Sequence, residues 1–182
     1  VASVAELKPI GVATVARTFD VSIESPVQVA DILSAFGDEK YWHARLAAFG
    51  NGSAALSALE VAADGCVTVT VTLGLLRDRL PKVVTQVHRG DLEMVRTETW
   101  TPGDEGEVSG DIAIAVTGAP LSATGRAKIQ PAEIGSHLTY STTVAVKVPI
   151  VRGRIESFIG GYTVDEITRL QDFTTGWITG RL

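Results

Sequence analysis

The spacing of apolar residues changes once, late in the chain, and that change limits what the chain can fold into. From Leu138 to Val148 every second residue falls on one face: Leu138, Tyr140, Thr142, Val144, Val146 and Val148. That is the period of a strand. Pro149 ends it. From Val151 to Ile178 the steps become three and four residues, through Val151, Ile155, Phe158, Ile159, Tyr162, Leu170, Phe173 and Trp177. At 1.5 Å per residue this is one helix of roughly 40 Å. Its apolar stripe must be buried, and the strands before it are the only large partner. Gly160-Gly161 lies inside it and costs about 1 kcal/mol per glycine relative to alanine, which predicts a kink or a close backbone approach.

The upstream sequence supplies those strands. Val12 to Ile23 alternates, with Val15, Phe19, Val21 and Ile23 on one face and Arg17 sharing their parity. Ser25-Pro26 is read as cap and first residue of a helix carrying Val29, Ile32, Leu33 and Phe36, closed by Gly37. Asp38 caps a second short helix with Tyr41, Trp42, Arg45, Leu46 and Phe49, ended by Gly50. Strand patterns follow at Leu56–Ala63, Cys66–Leu73, Val83–His88, Leu92–Trp100, Asp111–Thr117 and Leu121–Ile129. Asp64-Gly65, Asp104-Glu105-Gly106 and Pro131–Ser136 read as turns, and Gly74–Lys82 as a loop or a turn of helix. This order predicts an α+β domain: an antiparallel sheet of about seven strands, two short helices after the first strand, and a long C-terminal helix packed across the sheet.

Composition removes several function classes. The 182 residues suit a single domain over 1–182, with 1–11 as a flexible or additional segment. Sixteen basic residues against 21 acidic ones give a net charge of -5, which speaks against nucleic-acid binding. One cysteine, Cys66, allows no intrachain disulfide or thiolate cluster and is expected to be a small buried residue. His43, His88 and His137 show no ligand spacing, and no nucleophile elbow occurs, so no metal, cofactor or catalytic set is expected. No apolar run reaches the roughly 18 residues of a spanning helix, and Val1–Gly11 does not read as a signal peptide, so a cytoplasmic location is expected. Asn51-Gly52-Ser53 is read as a turn.

Three segments carry a family resemblance: Ala16-Arg17-Thr18-Phe19-Asp20-Val21 in the first strand, Tyr41-Trp42-His43-Ala44-Arg45-Leu46 in the second short helix, and Val148-Pro149-Ile150-Val151-Arg152-Gly153-Arg154-Ile155-Glu156 where the last helix begins. With the element order, they resemble the START-like, helix-grip superfamily of Bet v 1-type proteins and polyketide cyclases. More narrowly, they resemble an uncharacterised actinobacterial family within it. The resemblance implies a curved sheet gripping the long helix around a cavity for lipids, sterols, polyketides or other apolar molecules. It brings no catalytic residues with it.

The expected ligand-binding residues are Arg17, Trp42, Trp100, Tyr140, Phe158, Tyr162 and Glu166. Aromatic rings with an occasional phenol line sites for apolar ligands, although each could equally be core. Arg17 either anchors a ligand carboxylate or hydroxyl, or snorkels, or pairs with Glu98 or Glu156. Glu166 continues the helix stripe, as an anchor or as an edge residue paired with Arg169 or Arg17. Ala123, Gly125 and Ala127 line one strand with small side chains, leaving volume to be filled. The first reading is therefore a carrier or sensor of an apolar or amphipathic small molecule. The alternatives are a cyclase- or dehydratase-type enzyme using Arg17, Glu166, His88 or Tyr140, and a regulatory interaction module.

Overall fold

A computed structural model describes residues 17–50, 53–75, 92–117, 121–146 and 152–181, with the side chains of residues 17, 75, 121, 146 and 152–164 outside the description. The strand expected at Val83–His88, the segment Gly74–Lys82 beyond Leu75, and the start of the first strand before Arg17 lie outside the described residues. The strands are β1 (Arg17–Ser25), β2 (Ala54–Val61), β3 (Val67–Leu75), β4 (Leu92–Pro102), β5 (Val108–Thr117), β6 (Leu121–Pro131) and β7 (Ser136–Val146). The helices are α1 (Val29–Phe36), α2 (Glu39–Phe49) and α3 (Arg152–Ile178). The strands form one antiparallel sheet in the order β1-β7-β6-β5-β4-β3-β2. α3 is one helix through Gly160-Gly161 and packs on β1, β7 and α1.

Turn chemistry explains the sheet edges. Between β2 and β3, Asp64 Oδ1 accepts from the Cys66 amide at 3.0 Å, and Gly65 takes a φ of +83° that a side chain would resist. Cys66 sits just before β3, half-buried, with its Sγ 3.7 Å from Thr101 Oγ1, so it is less buried than its apolar context suggests.

The caps divide. Asp38 caps α2 as expected, its side chain accepting from the Lys40 amide at 2.9 Å. Ser25-Pro26 does not start α1: the N-cap is Gln28, which makes no side-chain cap bond. Ser25 is the last residue of β1, and its hydroxyl meets Thr175 Oγ1 of α3 at 3.0 Å. A tertiary partner for the hydroxyl displaced the local capping role.

The registers align inner-face residues in rows across the sheet. One row runs Val67, Trp100, Gly110, Ala127, Tyr140, Val21. The next runs Val69, Glu98, Ile112, Gly125, Thr142, Phe19. A third runs Val71, Arg96, Ile114, Ala123, Val144, Arg17. The outer face is polar, with threonine pairs such as Thr70 and Thr97 at 3.2 Å across β3 and β4.

The first row meets the aromatic core. Tyr41 is fully buried, with Phe36, Trp42, Phe173 and Trp177 around it at ring separations of 5.3 to 6.0 Å. Phe36 lies 4.7 Å from Trp100. The room above the small residues is taken up locally. A β-carbon on Gly110 would stand 2.5 Å from the Trp100 ring, and one on Gly125 would collide with the Tyr140 hydroxyl. At Gly125 the expected free volume is filled by the Tyr140 ring, and Gly110 is likewise covered by Trp100.

Candidate functional site

β4 carries two charged residues on its inner face. Leu92, Met94, Arg96, Glu98 and Trp100 share parity, so Arg96 and Glu98 must face the interior once Leu92 and Trp100 are buried there. The Glu98 side chain is 1% exposed. Its Oε1 lies 2.8 Å from Arg96 Nε and 3.4 Å from Arg45 Nη2, and its Oε2 accepts from Trp100 Nε1 at 3.0 Å. Arg96 Nε itself makes no aimed hydrogen bond at this distance, while the Arg96 guanidinium stabilises Glu98 through both charge and a side-chain hydrogen bond.

Arg45 reaches this carboxylate from α2. Its guanidinium lies 4.6 Å above the Trp42 ring, and Nη1 donates to the Tyr41 hydroxyl at 3.4 Å. That hydroxyl in turn meets Thr174 Oγ1 of α3 at 2.8 Å. One polar network therefore joins α2, β4 and α3.

The electrostatics favour the charged forms. Burial alone would push the Glu98 carboxyl up, but Arg96, Arg45 and the Trp100 hydrogen bond outweigh it and hold its pKa below the ordinary value. Burial alone would pull Arg96 down, but Glu98, Tyr140, Glu166 and Tyr41 outweigh it and push its pKa up.

The inner face is not closed evenly. Leu73, Met94, Arg96 and Ile114 face inward and are neighbours in the register, yet all four keep part of their surface accessible. Fully buried residues flank them: Val69, Glu98 and Ile112 on one side, Leu92 and Val116 on the other. They make one half-buried patch of the inner face, three apolar side chains and one cation. Two more interior groups lack partners. Thr142 Oγ1 on β7 and Gln171 Nε2 on α3 have no hydrogen-bond partner, in residues 3% and 5% exposed. The outer face carries a depression of about 630 Å³, lined by Thr97, Thr99, Thr124, Arg126 and Thr143 among others.

The sequence candidates divide. Trp42 is 1% exposed, its Nε1 committed to Phe36 O at 2.7 Å. Trp100 is committed to Glu98. Tyr140 is buried on the inner face, and half-buried Glu166 lies on α3; both act on Arg96 through space. The side chains of Arg17, Phe158 and Tyr162, and all of His88, lie outside the described residues. Glu98, weighed as a partner for Arg17, is held by Arg45 and Arg96. Sequence reasoning missed Arg96 as a site residue. The available signal was two charges on the apolar parity of a strand, at Arg96 and Glu98. Among the described residues, no helix is long and apolar enough to cross a membrane.

This architecture matches solved structures. Norcoclaurine synthase from Thalictrum flavum, in complex with dopamine and hydroxybenzaldehyde, superposes with a TM-score of 0.53 at 15% identity, covering 100% of this chain and 99% of that one. Protein Ms6760 from Mycobacterium smegmatis gives 0.51 at 13% identity, covering 91% and 92%. The chain has the Bet v 1-like, helix-grip fold, and at these identities the likeness shows the fold alone. In sequence, it is 38% identical over 173 residues to the uncharacterized protein Rv0481c of Mycobacterium tuberculosis and to Mb0491c of Mycobacterium bovis, covering 91% of this chain and 99% of each relative. The match of a family model across residues 20–178 completes the assignment: the chain belongs to the family described as Protein of unknown function (DUF2505).

Proposed function

We propose that this protein binds an apolar or amphipathic small molecule between the sheet and α3, as a carrier or sensor. The observation that carries the reading is that Leu73, Met94, Ile114 and Arg96, side by side on the inner face, are only half-buried. Apolar side chains on the core face of a sheet are ordinarily closed over, and a hollow lined by them with a few polar groups is the usual form of a small-molecule site. Support also comes from the partnerless Thr142 and Gln171, polar groups that a bound molecule or water would satisfy. A similar fold, in norcoclaurine synthase, is found in complex with dopamine and hydroxybenzaldehyde.

Ile114→Trp tests the reading. An indole at this half-buried inner position takes up the space left accessible beside Met94 and Arg96. Binding of Nile red, a neutral hydrophobic dye, is expected to fall about tenfold or more in the variant, with its unfolding midpoint close to the parent's. A parent protein that binds no hydrophobic probe, or a variant that binds as well as the parent, sinks the proposal.

An acid–base enzyme is the second reading. Of the groups such a reaction would use, Tyr140 is buried on the inner face and Glu166 is half-buried on α3.

A further inference from the structure

We propose that the outer face of the sheet carries a second site, in which Ser22 is a nucleophile, His137 is its general base, and the substrate is a small neutral acyl ester. This site lies on the opposite face from the binding reading above and does not depend on it.

The pair comes from two neighbouring strands. Ser22 and Glu24 lie on β1, at the edge of the sheet, and alternation puts both on the outer face. The register sets Glu24 opposite His137 of β7, and Ser22 opposite Thr139. His137 nevertheless bonds diagonally. Its Nε2 lies 2.7 Å from Ser22 Oγ and 4.0 Å from Glu24 Oε1. With the ring proton on Nδ1, Nε2 accepts from the serine hydroxyl, which is the contact a general base needs. Glu24 faces the same nitrogen, so it favours the imidazolium by charge alone and the set is a dyad. The imidazole is 32% exposed and Ser22 is open to solvent, so the base is partly shielded while the nucleophile is within reach of a substrate. Other hydroxyls of this face have no such partner: Ser57 meets Thr72, Thr70 meets Thr97 and Thr18 meets Thr143, each hydroxyl to hydroxyl.

A groove adjoins Ser22. It has a volume of about 500 Å³ and is lined by Asp20, Ser22, Arg126, Lys128, Thr139 and Ser141 among others. Its cations already face acids, Lys128 at 2.7 Å from Glu107 and Arg126 at 3.8 Å from Asp111. Three hydroxyls and balanced charges suit a neutral polar molecule better than an anion or a lipid chain.

The chemistry is acyl transfer. Ser22 Oγ attacks the ester carbonyl carbon while His137 Nε2 takes the hydroxyl proton. The carbonyl then re-forms, the bond to the leaving oxygen breaks, and Nε2 returns the proton to that oxygen. Water hydrolyses the acyl-serine by the same route. On this open face the oxyanion is solvated by water rather than by fixed donors, so turnover is slow and the acyl-serine accumulates.

The test is p-nitrophenyl acetate with the whole chain, followed by nitrophenol release and by peptide mass mapping of the acetyl group. Acetyl is expected on Ser22 ahead of Ser57 and Ser141. Ser22→Ala, at an exposed position, is expected to lose it. His137→Gln is expected to slow acetylation of Ser22 about a hundredfold, the usual scale of general-base assistance. Acetyl confined to lysines, or placed on Ser57 as fast as on Ser22, overturns the proposal. So does an unchanged rate at Ser22 in a folded His137→Gln protein.

Discussion

Arg96 and Glu98 stand two residues apart on one strand, on the same inward face, with Nε and Oε1 2.8 Å apart. A second guanidinium, from Arg45 on α2, closes on the same carboxylate at 3.4 Å. Removing the carboxylate therefore leaves two positive charges in the interior. Glu98→Gln is expected to lower the unfolding free energy by about 3–5 kcal/mol, the usual cost of breaking a buried pair. Glu107 makes an equally short contact, 2.7 Å to Lys128, but these side chains are 27% and 43% exposed. Glu107→Gln should change stability by less than about 1 kcal/mol. Urea unfolding of both variants decides whether burial, rather than distance, sets the difference.

The lowered pKa of Glu98 gives stability a pH dependence of definite sign. The folded protein holds this carboxyl below its ordinary value of 4.5, so the unfolded chain takes up the proton first as pH falls. The contribution is complete above the ordinary value and is lost as pH drops through the folded one. Arg96 is shifted upward, so its contribution is complete below its ordinary value and does not vary across the acid range. Urea midpoints between pH 7 and pH 3 should fall toward acid in the parent. The slope should be shallower in Glu98→Gln, and parallel curves would contradict the assignment.

Gly110 and Gly125 are small because aromatic rings lie on them. A β-carbon at Gly110 meets the Trp100 ring at 2.5 to 2.9 Å. Gly110→Ala must move the indole and loosen its hydrogen bond to Glu98, at an expected cost of about 1–3 kcal/mol. Emission of the displaced tryptophan should shift to longer wavelength. A variant with parent stability and an unshifted spectrum would show that the ring is not seated on Gly110.

The Tyr41 hydroxyl bridges α2 to α3 through Thr174 and takes a hydrogen bond from Arg45. Tyr41→Phe keeps the ring in its aromatic cluster and removes only the bridge. The expected loss is about 1–2 kcal/mol. Thr174 retains its own bond to the Leu170 carbonyl at 2.7 Å, which limits the damage. A double-mutant cycle with Thr174→Val should return a coupling of about 0.5 kcal/mol or more, and additive losses would rule out the bridge.

Sequence alone determined the scaffold, because the scaffold follows from local periodicity. Alternation assigned the inward faces of β3 and β5 through β7, the late change of period assigned α3, and Asp38 and Asp64-Gly65 marked a cap and a turn by their own chemistry. These signals act over a few residues, so they survive without knowledge of neighbours. Tertiary structure decided everything that depends on residues distant in the chain. Ser25 reads as a helix cap until Thr175, 150 residues away, takes its hydroxyl. Ala123, Gly125 and Ala127 read as open volume until the register brings the Tyr140 ring over Gly125. Arg45, Arg96 and Glu98 are ordinary charges on a helix and a strand until folding removes water from around them. Only then do two cations share one carboxylate, because a buried charge must find its partner wherever the fold places it.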